Sequence, residues 1–167
     1  DLDRIAQEID YLSSKRIEDI YITDANFGLF PRDKTIAEML VDSKKKCGFP
    51  KRVRIQFAKK TNKTVFEISR LLHQNGMLWG TTLSMQSVDI EVLEAIDRPY
   101  VSFEEYGKIQ EKYKEHGIPT YTELILGLPL ETKESFIKGI CKLFELDMHA
   151  DFRVFELALL PNAPLYS

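Results

Sequence analysis

The residues of this chain that could do chemistry fall in small groups, each at the end of an apolar run. Ser84 and Gln86 interrupt the run that opens at Met77 and closes at Leu83. Asp24 and Asn26 follow the β-branched run Ile17 to Thr23. Gln56 lies near the end of Val53 to Ala58, close to Lys59. Glu123 stands inside Tyr121 to Leu126, with Gly127 just after it, and Pro161 follows Phe152 to Leu160. A carboxylate beside Leu124, Ile125 and Leu126 is costly to bury unless it is paired, hydrogen-bonded or protonated. Glu123 therefore calls for a cation or a ligand, and Arg98 is the nearest cationic candidate in the sequence. Singly, each group has a plainer explanation. Asp24 and Asn26 are turn formers, Gly127-Leu128-Pro129 is turn chemistry, and Glu123 with Arg98 makes a buried pair without a ligand. Together, polar groups at the end of every strand read as a site for a polar ligand.

The elements that must position these groups alternate along the chain. Leu2, Ile5, Ile9 and Leu12 form the apolar stripe of a first helix. Thr35-x-x-Glu38, Thr64-x-x-Glu67 and Ser102-x-x-Glu105 are capping boxes that predict three helix starts. Their inner faces are Ile36, Met39 and Leu40; then Val65, Ile68 and Leu72; then Tyr106, Ile109 and Tyr113. Val88, Val92, Leu93 and Ile96 predict a short helix, and Phe136, Ile140 and Leu143 another that opens at Glu131 or Thr132. Gly48, Gly76 and Gly117 stop helices. Strand and helix in alternation predict an α/β domain over residues 1–167 with parallel strands and right-handed crossovers. In such a fold the carboxyl ends of the strands share one face, where sites are built.

Composition sets the bounds. The chain has 167 residues, 44% apolar and 29% charged, with a net charge of -3. That balance fits a globular protein and argues against a grip on nucleic acid driven by phosphates. No apolar run is long enough for a membrane span, and a cytoplasmic protein is expected. Cys47 and Cys141 are expected to be reduced, buried thiols. Lys44-Lys45-Lys46 is expected to be a solvated helix end. The chain opens at Asp1 directly into a helix pattern, which suggests an excised piece of a longer protein.

Thr82-Leu83-Ser84-Met85-Gln86-Ser87-Val88-Asp89 with Arg98 resembles the fourth-strand segment of radical S-adenosylmethionine (SAM) enzymes. It is most similar to the subgroup with coproporphyrinogen dehydrogenases, tRNA methylthiotransferases and cobalamin-binding, oxidative-cyclase-like members. Glu123-x-Ile125-x-Gly127-x-x-x-Glu131 resembles the fifth-strand GxIxGxxxE pattern, with Glu123 in place of its first glycine. Thr23-Asp24-Ala25-Asn26-Phe27-Gly28 takes the place of the second-strand motif, and Leu160-Pro161-Asn162-Ala163-Pro164 looks like the sixth-strand turn. The resemblance implies a partial TIM-like (β/α)6 barrel, here without its first strand. It implies SAM across the strand ends against a 4Fe–4S cluster held by CxxxCxxC, and reductive cleavage of SAM to a 5′-deoxyadenosyl radical. Cobalamin is a further cofactor of some members. By position, Asp24 and Asn26 would face the methionine amino end. Gln56, Ser84 and Glu123 would reach ribose or amino groups, and Gln86 the SAM or substrate side. Arg98 would face the methionine carboxylate, and Gly127 and Pro161 the adenine.

The sequence departs from the family in having no CxxxCxxC, and two cysteines cannot supply three thiolates. Truncation explains this, and the piece by itself is then expected to bind no metal and to be inactive. A cluster-free SAM- or nucleotide-binding module, or a conventional barrel lyase or hydrolase using Glu123, are the alternatives. Without a first strand, Ile17 to Thr23 becomes a sheet edge, and either self-association through it or an open cleft beside it is expected.

Overall fold

The computed structural model describes residues 1–58, 63–145, 151–159 and 161. The elements run α1 (Leu2–Ser14), β1 (Asp19–Phe27), α2 (Pro31–Cys47), β2 (Arg52–Phe57), α3 (Lys63–Gln74), β3 (Thr81–Thr82), α4 (Ile90–Ala95), α5 (Phe103–Glu115), β4 (Thr120–Leu126), α6 (Lys133–Glu145) and β5 (Asp151–Glu156). This is the expected α/β alternation, with parallel strands and flanking helices. The chain divides into two compact units, residues 1–82 with 115–119, and residues 83–114 with 120–167.

In the first unit β1 and β2 pair in parallel, Ile20 against Val53 and Ile22 against Ile55. The Val53 amide donates to the Met77 carbonyl at 2.8 Å, so the chain leading to β3 lies on the other side of β2. Among the described residues, β2 is the only strand paired with β1. Ile9, Phe27, Leu40, Val53, Ile68 and Leu72 belong to one buried cluster that joins α1, α2 and α3 to this sheet. In the second unit β4 pairs in parallel with β5, Glu123 opposite Arg153. On the other side of β4 run residues 83–86, tied on by Leu83 N–H to the Tyr121 carbonyl and Gln86 N–H to the Glu123 carbonyl. Leu83, Val92, Leu93, Tyr106, Leu124 and Leu143 are among its buried apolar residues.

Several expectations need correction. The strand expected from Met77 to Leu83 is reduced to Thr81–Thr82. Its backbone changes partners, Met77 bonding to Val53 and Thr81 to the Pro119 carbonyl, so no continuous ladder forms. Helix α2 begins at Pro31, ahead of the expected Thr35 cap. Proline supplies the φ that a first turn needs, and Asp33 caps the Phe30 amide. Thr64 lies within the first turn of α3, not at its cap. Ser102 and Glu105 do form a reciprocal box, each amide accepted by the other's side chain at 3.2 Å. Cys47 and Cys141 are exposed, not buried. Lys44 is more than a solvated helix end: its ammonium donates to the carbonyls of Lys51, Asn75 and Gly76 and ties the end of α2 to that of α3. Lys59, Leu160 and residues 162–164 lie outside the described residues.

Candidate functional site

In the second unit the chain reaches the end of the 83–86 segment and reverses into α4, and Gln86 marks the reversal. Its φ is +68°, in the left-handed region that side chains other than glycine rarely adopt. The residue is nonetheless buried, and its backbone is bonded on both sides, N–H to Glu123 O at 2.9 Å and O from Ile125 N–H at 2.8 Å. Strain of about 1–3 kcal/mol persists only where surrounding structure over-determines it, and such positions cluster at functional sites. The ladder to β4 is what holds Gln86 there.

The same ladder brings Ser84 to Glu123. The Ser84 hydroxyl donates to Glu123 Oε2 at 2.8 Å. The carboxylate that the sequence left without a partner is thus half-buried with one oxygen satisfied by a hydroxyl, and the pairing with Arg98 is not made. Arg98 is placed by a Schellman ending of α4. Asp97 takes the left-handed conformation (φ +53°), its N–H bonds Glu94 O at 3.1 Å, and Arg98 N–H bonds Leu93 O at 2.9 Å. Burial alone lowers the Arg98 pKa from its usual value, and among the described residues no carboxylate lies within ion-pair distance. A guanidinium stays charged under such conditions. A partly dehydrated cation without a counter-ion is a place for an anionic group.

Gly127 ends β4 with φ +91°, and a side chain there would meet nothing closer than Leu157 Cβ at 3.9 Å. The glycine thus serves its own backbone and also leaves open space beside it. Its N–H donates to Glu131 Oε2 at 2.7 Å. Glu131 was visible as part of a motif but not as a site residue; the signal was an acid one helical turn after a strand-end glycine. Below these groups, the buried Tyr106 hydroxyl bonds to Thr122 Oγ1 and to Leu83 O. Burial pushes its pKa up to about 12.

In the first unit Asp24 and Asn26 lie where the β1–β2 register shifts, between Ile22 and Phe27. Both are exposed, and the Asp24 carboxylate accepts the Asn26 N–H at 2.8 Å. Gln56 is exposed near the end of β2, and Pro161 is exposed in the second unit. The structure therefore assembles Ser84, Gln86 and Glu123 directly, and sets Asp24 beside Asn26.

The family model of the radical SAM superfamily matches residues 1–139. The chain belongs to the radical SAM superfamily. It is 50% identical over 99% of its length to a 2-(S-pantetheinyl)-carbapenam-3-carboxylate methyltransferase of Streptantibioticus cattleyicolor. It is 50% identical over 98% of its length to the cobalamin-dependent radical SAM methyltransferase TokK of Streptomyces tokunonensis. The chain spans 24% of the length of each of these relatives. Among solved structures, the coproporphyrinogen III oxidase HemN of Escherichia coli matches 96% of this radical SAM chain and 37% of its own, with a TM-score of 0.69 and 21% identity, a likeness of fold.

The residues present fit SAM but not its cluster. The half-buried guanidinium of Arg98, with no carboxylate in ion-pair distance among the described residues, suits a carboxylate, and the open space beside Gly127 suits a flat base. A cluster needs three thiolates, whereas Cys47 and Cys141 are the only cysteines and are exposed in separate units. No helix among the described residues is long and apolar enough to cross a membrane.

Proposed function

We propose that this chain is the SAM-binding core of a cobalamin-dependent radical SAM methyltransferase. The observation that carries the reading is the 50% identity, across nearly the whole chain, to two methyltransferases, one named as cobalamin-dependent. Those names favour methyl transfer over the oxidative-cyclase outcome. In this reading residues 1–167 form one domain, a partial (β/α)6 barrel that lacks its first strand. The protein works in the cytoplasm on a small molecule, and not on nucleic acid. In the whole protein a 4Fe–4S cluster, held by residues other than those of this chain, would supply one-electron chemistry to SAM, and cobalamin would supply methyl-transfer chemistry.

The chain's own residues bind and orient. Arg98 would hold the methionine carboxylate, and burial makes that bond worth about 1.5–3 kcal/mol, the range for hydrogen bonds to charged groups. Asp24 and Asn26 would hold the ammonium. The Ser84–Glu123 pair and Gln56 would meet the ribose or amino groups, with Gln86 on the SAM or substrate side. Gly127 and Pro161 would lie beside the adenine. Ser84 holds one Glu123 oxygen, which leaves the other for a ligand hydroxyl.

The test uses the whole protein that carries this chain, with calorimetric SAM titration of wild type and Arg98→Ala. A loss of about 10–100-fold is expected. Unchanged affinity removes Arg98 from the site. Iron quantitation after anaerobic reconstitution separates this reading from a cluster-free SAM- or nucleotide-binding module. Turnover without iron or SAM would favour a conventional lyase or hydrolase.

A further inference from the structure

We propose that Asp33 is a positioning residue that holds the Asp24–Asn26 end of β1 in its SAM-binding shape. This rests on the reading that Asp24 and Asn26 face the methionine end of SAM.

Asp33 is 1% exposed, and its carboxylate does two jobs with one oxygen. Oδ2 accepts the Phe30 N–H at 3.0 Å, which is ordinary capping of α2. The same Oδ2 accepts the Gly28 N–H at 2.8 Å, beyond the helix and inside the turn that ends β1. That turn is closed by Leu29 N–H to Asn26 O at 3.1 Å, and its glycine has φ +95°. A side chain at Gly28 would come within 2.6 Å of Val65 Cγ2 on α3, so the turn has no room to shift toward that helix. Phe27, 2% exposed, anchors the turn in the core opposite Phe57 of β2. The polar pair lies just before it, in the stretch of β1 where the register with β2 shifts.

Capping alone does not require the bond to Gly28. Helix N-caps satisfy the amides of the first turn, and Gly28 precedes that turn. The same arrangement recurs at the other strand end, where Glu131 accepts the Gly127 N–H and that glycine has φ +91°. At both ends an acid from the following helix region fixes a left-handed glycine directly after the polar or apolar strand end. In the first unit, what it fixes is the backbone from which Asp24 and Asn26 project. The other oxygen, Oδ1, faces Arg32 Nε at 3.8 Å, and truncating Asp33 takes the Oδ2 acceptor from both amides at once.

The experiment is calorimetric SAM titration of the whole protein that carries this chain, as wild type, Asp33→Ala, Asp33→Asn and Asp24→Ala, with amide exchange at Gly28 and Phe30. Asp33→Ala is expected to bind SAM about tenfold more weakly and to lose protection at both amides. Asp33→Asn is expected to stay within about twofold of wild type, because one amide oxygen can accept both bonds. Asp24→Ala is expected to weaken binding as well. If Asp24→Ala binds normally, the reading of the strand end fails, and the proposal with it. If Asp24→Ala weakens binding and Asp33→Ala does not, the reading stands and the positioning role is overturned. A tenfold loss in Asp33→Asn overturns it too, since charge and not geometry would then matter. Should Asp33→Ala not fold, Asp33→Ser, too short to reach Gly28, takes its place. An unprotected Gly28 amide in the wild type refutes the bond itself.

Discussion

Alanine at two helical glycines of this chain should move stability in opposite directions. Gly107 lies in α5 with nothing within 4 Å of where a Cβ would stand. Gly139 lies in α6, is buried, and would direct its Cβ into Cγ2 of Val88. Inside a helix alanine is favoured over glycine by about 1 kcal/mol. Gly107→Ala should realise most of that. In Gly139→Ala the gain is opposed by overpacking, which costs about 1–3 kcal/mol. Val88 is β-branched and stiff about χ1, so its methyl cannot simply swing aside. The expected net effect is a loss of about 0–2 kcal/mol, and the two variants should differ by about 1–3 kcal/mol. In a protein of this size each kcal/mol moves Tm by about 2–4 °C. Denaturant unfolding of both variants, with Val88→Ala as a partial rescue of Gly139→Ala, measures the difference. Val88 follows Gln86 and Ser87 closely, so Gly139→Ala should also weaken SAM binding. Equal stabilisation by the two alanines would refute the reasoning, because it would mean that α6 does not press on Val88.

Other outcomes follow from single groups. Tyr106 titrates near 10 when unfolded but about 12 in the fold, so its contribution is complete below about pH 10. It should fall by about 2–3 kcal/mol as pH rises through about 12, and Tyr106→Phe should remove that slope in pH-dependent unfolding. Gly127→Ala should cost about 1–2 kcal/mol of stability, because it forces a side chain into the left-handed region; a neutral result would show that the backbone there relaxes freely. Ser84→Ala should lower SAM affinity by about threefold to tenfold, because the Glu123 carboxylate loses the hydroxyl that orients it; unchanged affinity in calorimetric titration would count against that pairing. β1 pairs with β2 alone among the described residues. The chain by itself is therefore expected to self-associate with concentration in light scattering, and a constant mass would count against an open edge.

What the sequence determined by itself was local in origin. Alternating apolar runs and capping signals set the order of strands and helices, since period and cap chemistry act within a few residues. The polar groups at strand ends were visible for the same reason: they break apolar runs. The Ser102–Glu105 box formed as read, while Thr35 and Thr64 did not cap, because Pro31 and Asp33 started α2 earlier and α3 begins at Lys63. Only the tertiary structure decided who pairs with whom. Glu123 was read as needing a cation, yet parallel register beside β4 brought it the Ser84 hydroxyl. Arg98 was left without a carboxylate among the described residues, because the left-handed turn at Asp97 sets its position. The strain at Gln86 and the reach of Asp33 to Gly28 leave no mark on composition or periodicity. Both arise where the chain turns out of a strand and its backbone amides must find acceptors, and that requirement is met only once the strands and helices have been brought together.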